Sequence, residues 1–249
     1  MITYDISGFI ARIRLDRASA RNALNAAGWH ALAQAIAAVA SSEARVLLLL
    51  SAVPGSFCAG SDLNELADLA GNASDRATFR QMMREAMDPL RTLAIPTIAA
   101  IDGDCFGAGV ALALACDIRI AGERARFAVT PAKLGISYPV EDVARLVATV
   151  GRGQAARLLF GAGIIDAAEA LRIGLVEQVS TSGEREAQML AAAIAENAPA
   201  SVVALKSMFE EEHIARKPDF DRCFDDCFDG SAFREGLAAF RERRKARFA

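Results

Sequence analysis

The chain has 249 residues, a formal net charge of −3 at pH 7 and 53% hydrophobic residues, which suits one large domain, or a domain with an appendage, built on an ample core. The slightly acidic balance argues against a general nucleic-acid surface. No apolar run approaches the ~20 residues of a membrane span and no signal peptide is visible after Met1, so a cytoplasmic location is expected.

Ile2–Ile6 and Phe9–Leu15 alternate apolar and polar residues about Ser7-Gly8, the pattern of a hairpin. Trp29, Leu32, Ile36 and Val39 fall at helical spacing after Asn25, which reads as an N-cap. Val46–Leu50 is a short apolar run of the buried parallel kind, and Ser51–Ser61 reads as a turn-rich loop. Leu63, Leu66 and Leu69 start one helical pattern, and Phe79, Met82, Met83, Met87 and Leu90 mark another before Pro96. Thr97–Ile101 predicts a strand, followed by Gly103, Gly107 and Gly109 and then an Ala/Leu-rich helix. Ile118–Ile120 and Arg126–Val129 predict short strands; Val143, Leu146, Val147 and Val150 predict a helix. Asp166 and Glu169 resemble a capping box for a helix ending near Gly174, with a strand at Leu175–Val179. From Glu184 onward the pattern is helical, interrupted at Pro199 and Pro218. Strands alternate with helices to about Val179 and helices follow, the order of an α/β fold with repeated ββα units and a helical C-terminal part. Residues 1–183 are read as the core and 184–249 as the helical region.

Five cysteines form no disulfide framework. Cys58, Cys105 and Cys116 sit in apolar or glycine-rich surroundings, while Cys223 and Cys227 stand four apart, far in sequence from His30 and His213. Reduced thiols without a metal are expected.

Two runs share an outline. Val46–Leu69 and Thr97–Cys116 each go from strand through a glycine-containing turn to helix. A helix start carries free N–H groups, so two such units side by side can aim donors at one oxygen. Arg21-Asn22-Ala23-Leu24-Asn25, FCAGSDL (57–63), IPTIAAIDGDCFGAGVALALACD (95–117), FAVTPAKLG (127–135), the stretch Ile164–Val179 and the C-terminal REGLAAFRERRKARF together resemble the crotonase, or enoyl-CoA hydratase/isomerase, superfamily over nearly the whole chain. The resemblance implies a spiral of ββα units holding an acyl-CoA, with coenzyme A entering as part of the substrate and no permanent cofactor. It assigns the two carbonyl-polarising N–H groups to Ser61 and Ala108. It sets Asn22, Ala23, Leu24, Ala59, Ser61, Asp62, Leu63 and Asn64 along the coenzyme A site, gives Arg243 a CoA phosphate, and suggests a homotrimer or dimer of trimers.

The family's two hydratase glutamates fall, by the same resemblance, on Ala111 and Pro131, neither of which moves a proton. Tyr138, Glu141 and Asp142 are the nearest chemically active candidates, with packed-loop and helix-dipole roles as their structural alternatives. The run Thr130-Pro131, Leu134-Gly135, Tyr138 resembles the methylmalonyl-CoA decarboxylase branch, although that branch usually keeps a Glu at position 111 and a His at position 61. The reading is a lyase or isomerase working through a stabilised enolate. A catalytically weak acyl-CoA-binding paralogue is the alternative.

Overall fold

The computed structural model describes residues 2–209, 222, 226, 228 and 230–248. The hairpin forms as β1 (Ile2–Ser7) and β2 (Ile10–Leu15), paired antiparallel. Asn25 caps α1 (Ala26–Ala40), its side chain accepting from Gly28 N at 3.0 Å. Next come β3 (Val46–Ser51), β4 (Gly55–Cys58), α2 (Leu63–Asp68) and α3 (Ala73–Arg91). β5 (Thr97–Ile101), β6 (Gly103–Phe106) and α4 (Ala108–Leu114) repeat the unit, and β7 (Ile118–Gly122) and β8 (Arg126–Ala128) begin it again. A 3-10 turn at Pro131–Leu134 leads to α5 (Val140–Gly161), then β9 (Ile165–Asp166), α6 (Ala167–Arg172) and β10 (Gln178–Ser180). Helices α7 (Gly183–Ala195), α8 (Pro199–Ser207) and α9 (Ser231–Glu242) follow.

The middle repeats give their first strand (β3, β5, β7) to one sheet and their second (β4, β6, β8) to another, while β1 and β2 share the first. The large sheet runs β1-β2-β3-β5-β7-β10 and the small one β4-β6-β8-β9. β3, β5 and β7 are mutually parallel, as are β4, β6 and β8. This is the ββα spiral expected. The apolar run of β3 is explained by two covered faces: Leu47 and Leu49 join the main core, whereas Val46, Leu48 and Leu50 join Ala187 and Ala191 of α7. α7, read from the sequence as part of the C-terminal region, thus closes the back of the large sheet.

Three strands were not legible as such. β4, β6 and β9 have four, four and two residues, too few for an alternation to register. The segment read as a loop at Ser51–Ser61 contains β4, which pairs with β6 with a register shift between Ser56 and Cys58. The strand expected at Leu175–Val179 begins later, at Gln178. Pro199 is the first residue of α8, where its missing N–H costs nothing. Cys223, Cys227, His213 and Pro218 lie outside the described residues.

Candidate active site

The two strand-turn-helix units meet where β4 and β6 end. Gly107 has φ 50 and ψ −121, a backbone conformation open to glycine, and it turns β6 directly into α4. Gly60 has φ 107 and sits against that turn. A Cβ built on it would lie 3.0 Å from Phe106 O and 3.4 Å from Ala108 N. Gly109 is closer still to the first unit, since its Cβ would fall 2.4 Å from Cys58 O. Glycine at these positions lets the two backbones touch. Ser61 follows Gly60 and Ala108 follows Gly107, so two N–H groups flank one contact. Among the described residues neither N–H has a hydrogen-bond partner, although their neighbours do: Asp62 N bonds Leu24 O at 2.9 Å, and Val110 N bonds Gly107 O at 2.9 Å. Two amide donors without partners thus lie on either side of one backbone contact.

The segments expected to line coenzyme A are joined to this turn. Leu24 N bonds Gly60 O at 2.8 Å, Ala59 N bonds Arg21 O at 3.0 Å, and Leu24 and Ser61 form a parallel bridge. Ala23, Ala59 and Ser61 are half-buried, while Leu63 and Asn64 are exposed at the start of α2. Leu24 is buried. Asn22 holds the neighbouring chain segments together. It is buried, in a left-handed conformation (φ 61). Its Nδ2 donates to Ser51 Oγ at 2.8 Å and to Phe57 O at 3.0 Å, and its Oδ1 accepts from Arg17 N at 2.8 Å. Its amide is therefore spent on binding three pieces of chain together. Asp62 caps α2 by accepting from Asn64 N at 3.0 Å and pairs with Arg17 at 2.6 Å. The Arg17 hydrogen bond holds its carboxyl below the ordinary carboxylate value.

Arg243 ends α9 as a left-handed C-cap (φ 54) and is exposed. Among the described residues no hydrogen bond or ion pair joins it to Asn22–Leu24 or Ser61–Asn64. The tail beyond it docks elsewhere, with Arg45 Nη2 donating to Phe248 O at 3.3 Å and the Arg45 guanidinium stacked 3.6 Å over the Phe9 ring.

Around the donors there is little that titrates. Ala111 is buried on α4 and Pro131 is buried at the head of its 3-10 turn. Burial pushes the Cys58 thiol up to about 12 and the Cys105 thiol well above its usual value, so neither offers a thiolate near neutral pH. Tyr138 is half-buried and its hydroxyl donates to Gly107 O at 2.8 Å. Desolvation holds the phenol well above its ordinary 10. Asp142 is wholly buried on the first turn of α5. Arg84 Nη2 reaches its two oxygens at 3.0 and 3.1 Å, and Arg145 Nη1 donates to Oδ1 at 3.0 Å. Desolvation raises the Asp142 carboxyl and the guanidiniums oppose the rise. A carboxylate gripped on both oxygens is a structural anion joining α3 to α5, not a free base. Glu141 beside it is exposed. Among the described residues no group of three or more His, Cys, Asp or Glu side chains could hold a metal, and no single helix is long and apolar enough to cross a membrane.

The two-sheet ββα spiral with its touching inner turns has the architecture of the crotonase class. The comparisons make the class particular. The family model for enoyl-CoA hydratase/isomerase matches residues 5–249, and the chain belongs to that family. It is 34% identical over 248 residues to the short-chain-enoyl-CoA hydratase of Clostridium acetobutylicum, covering 96% of this chain and 93% of that one. It is 32% identical over 250 residues to the mitochondrial methylglutaconyl-CoA hydratase of Mus musculus, covering 96% of this chain and 79% of that one. The solved enoyl-CoA hydratase of Bacillus anthracis superposes with a TM-score of 0.92 at 30% identity, covering 99% of this chain and 98% of that one.

Proposed function

We propose that this family member polarises an acyl-CoA thioester between Ser61 N–H and Ala108 N–H, and that the reaction it carries is enolate chemistry without a pair of acid/base carboxylates. Two unpaired amide donors on touching turns, with Ala and Pro where the family's acid/base groups fall, support this reading most. Adding water to an enoyl thioester needs one group to activate the water and another to deliver a proton. The positions that resemblance assigns to those groups are Ala111 and Pro131, and the buried carboxylates Asp62 and Asp142 are each held by arginine, Asp62 by Arg17 and Asp142 by Arg84 and Arg145.

Decarboxylation fits such a site better. In a malonyl-type thioester the bond between the α carbon and the free carboxylate breaks. Its electron pair moves into the enolate, whose oxygen the two N–H groups stabilise, and carbon dioxide leaves. The α carbon then takes a proton from water. No enzyme base takes part. The names of the relatives point to CoA thioesters as the substrate class, and coenzyme A would come and go with the acyl group. Arg243 is read as a contact for a CoA phosphate of a neighbouring subunit in a trimer or dimer of trimers, which suits its exposure and its separation from the Ser61 turn.

A mass-spectrometric panel of acyl-CoAs tests the reading. Loss of carbon dioxide from a malonyl-type CoA, with crotonyl-CoA hydration at background, is the expected result. Hydration of crotonyl-CoA with a kcat of ~1–1000 s⁻¹ would overturn it. The second reading, an acyl-CoA-binding protein with little turnover, draws on the commitment of Tyr138 to a backbone carbonyl. Tight binding of the whole panel with every ligand recovered unchanged would favour it.

A further inference from the structure

We propose that Tyr138 is a positioning residue that sharpens the Ala108 donor through the peptide group joining Gly107 to Ala108, without itself touching the acyl group. This inference rests on Ser61 and Ala108 being the thioester-polarising pair. The Gly107 carbonyl and the Ala108 N–H are the two ends of one amide. Three donors converge on the carbonyl: Val110 N at 2.9 Å, Ala111 N at 3.4 Å, and the Tyr138 hydroxyl at 2.8 Å from 31 residues further on. The first two belong to the opening turn of α4. The third is added by the loop after β8.

Donation to an amide oxygen draws electron density from its nitrogen and increases the double-bond character of the C–N link. The hydrogen on that nitrogen becomes more positive, so bonds in such a chain strengthen one another. As negative charge builds on a thioester oxygen, part of it is relayed through Ala108 N–H and Gly107 C=O to the phenol. The Ser61 peptide is polarised by a backbone donor instead of a phenol. Its peptide carbonyl, Gly60 O, accepts from Leu24 N at 2.8 Å and has only a long contact with Cys58 Sγ at 3.8 Å.

The phenol suits this task. It has one hydrogen, which Gly107 O already holds, so it has none left to give a substrate carboxylate. Its desolvated surroundings keep it neutral, so it adds no charge to oppose an enolate. Its place is fixed locally, since Ile136 N bonds Pro131 O at 3.2 Å and Gly135 turns the chain at φ 71.

The test reads the carbonyl itself. Acetyl-CoA carrying carbon-13 at the thioester carbonyl is bound to the protein, and its infrared stretch is compared with that in solution. In the parent protein the band moves to lower frequency. In Tyr138→Phe that movement shrinks, and turnover of the substrate found by the panel falls roughly three- to tenfold in kcat with little change in KM. The chain contains two tyrosines, and Tyr4 is exposed on β1. Growth on 3-fluorotyrosine therefore changes one relevant phenol, makes it a stronger donor, and enlarges the band shift. If Tyr138→Phe does not fold, the fluorotyrosine protein decides alone. A shift that ignores both changes overturns the relay while leaving the donor pair intact. No shift in the parent protein overturns the donor pair and the relay together.

Discussion

The turn at 58–63 and the turn at 105–110 present one N–H each, yet they are built differently. The second is sunk in the core: every residue of α4 is buried, and Gly109 touches the backbone of Cys58. The first alternates buried and half-buried residues, opens a six-residue helix with no buried residue, and is braced by Asn22 and by the Arg17–Asp62 pair. One donor is held by packing and the other by polar ties. Packing fails when volume changes, whereas polar ties fail when charge or hydrogen-bonding capacity changes. The two halves of the proposed donor pair should therefore answer to different insults.

The largest effect is expected where the first turn loses its donor outright. Ser61→Pro removes the N–H and should cost about 100- to 1000-fold in turnover, while Ser61→Ala stays close to the parent. Equal, large losses in both would assign the function to the Ser61 side chain instead. A melting curve on the proline variant comes first, because the turn itself is at stake. Next comes the packed turn. Gly109→Ala drives a Cβ into Cys58 O and should lower stability by about 3 kcal/mol in urea unfolding; a neutral result would mean that the two units are not in contact.

Arg17→Ala probes the polar brace. The carboxyl of Asp62 is depressed, chiefly by its hydrogen bond from Arg17. Such a group adds stability that is complete above its unfolded pKa of about 3.9 and is lost as pH falls through the lower folded value. The gap in Tm between the parent and Arg17→Ala should be widest near neutral pH and close as the pH falls below about 3.9. A gap of the same size at neutral and strongly acid pH would mean that Arg17 acts by packing alone. The smallest effect concerns a residue outside both turns. Arg243→Ala should weaken CoA binding by roughly two- to fivefold, more at low salt than at high. Identical calorimetric titrations at both salt levels would return Arg243 to a solvated helix end.

The sequence showed the alternation of strands and helices and both glycine turns, because those signals are periodic or local. It did not show which side chains are already spoken for. Asn22 reads as a ligand contact, and its spacing gives no sign of the partners 29 and 35 residues away that its amide holds. Asp142 reads as a possible base until Arg84, 58 residues before it, is found on both its oxygens. Tyr138 reads as a chemically active candidate, and its sequence gives no sign that its proton is held by Gly107 O. In each case the decisive partner is distant in the chain, and no spacing rule reports it. The Gly60 and Gly109 approaches are similar: the glycines are visible, but what presses on them is not.

The amide of Asn22 carries one more consequence, in how the protein ages. Slow hydrolysis of that side chain would replace the NH₂ with a carboxylate oxygen, mass nearly unchanged. The donor facing Ser51 Oγ and Phe57 O would become an acceptor, and its new charge would be shut away from water with a carbonyl oxygen against it. A preparation stored long enough would then divide into two populations, alike in the buried second turn and different in the first. The damaged fraction would hold the first turn less firmly and melt at a lower temperature than the intact one.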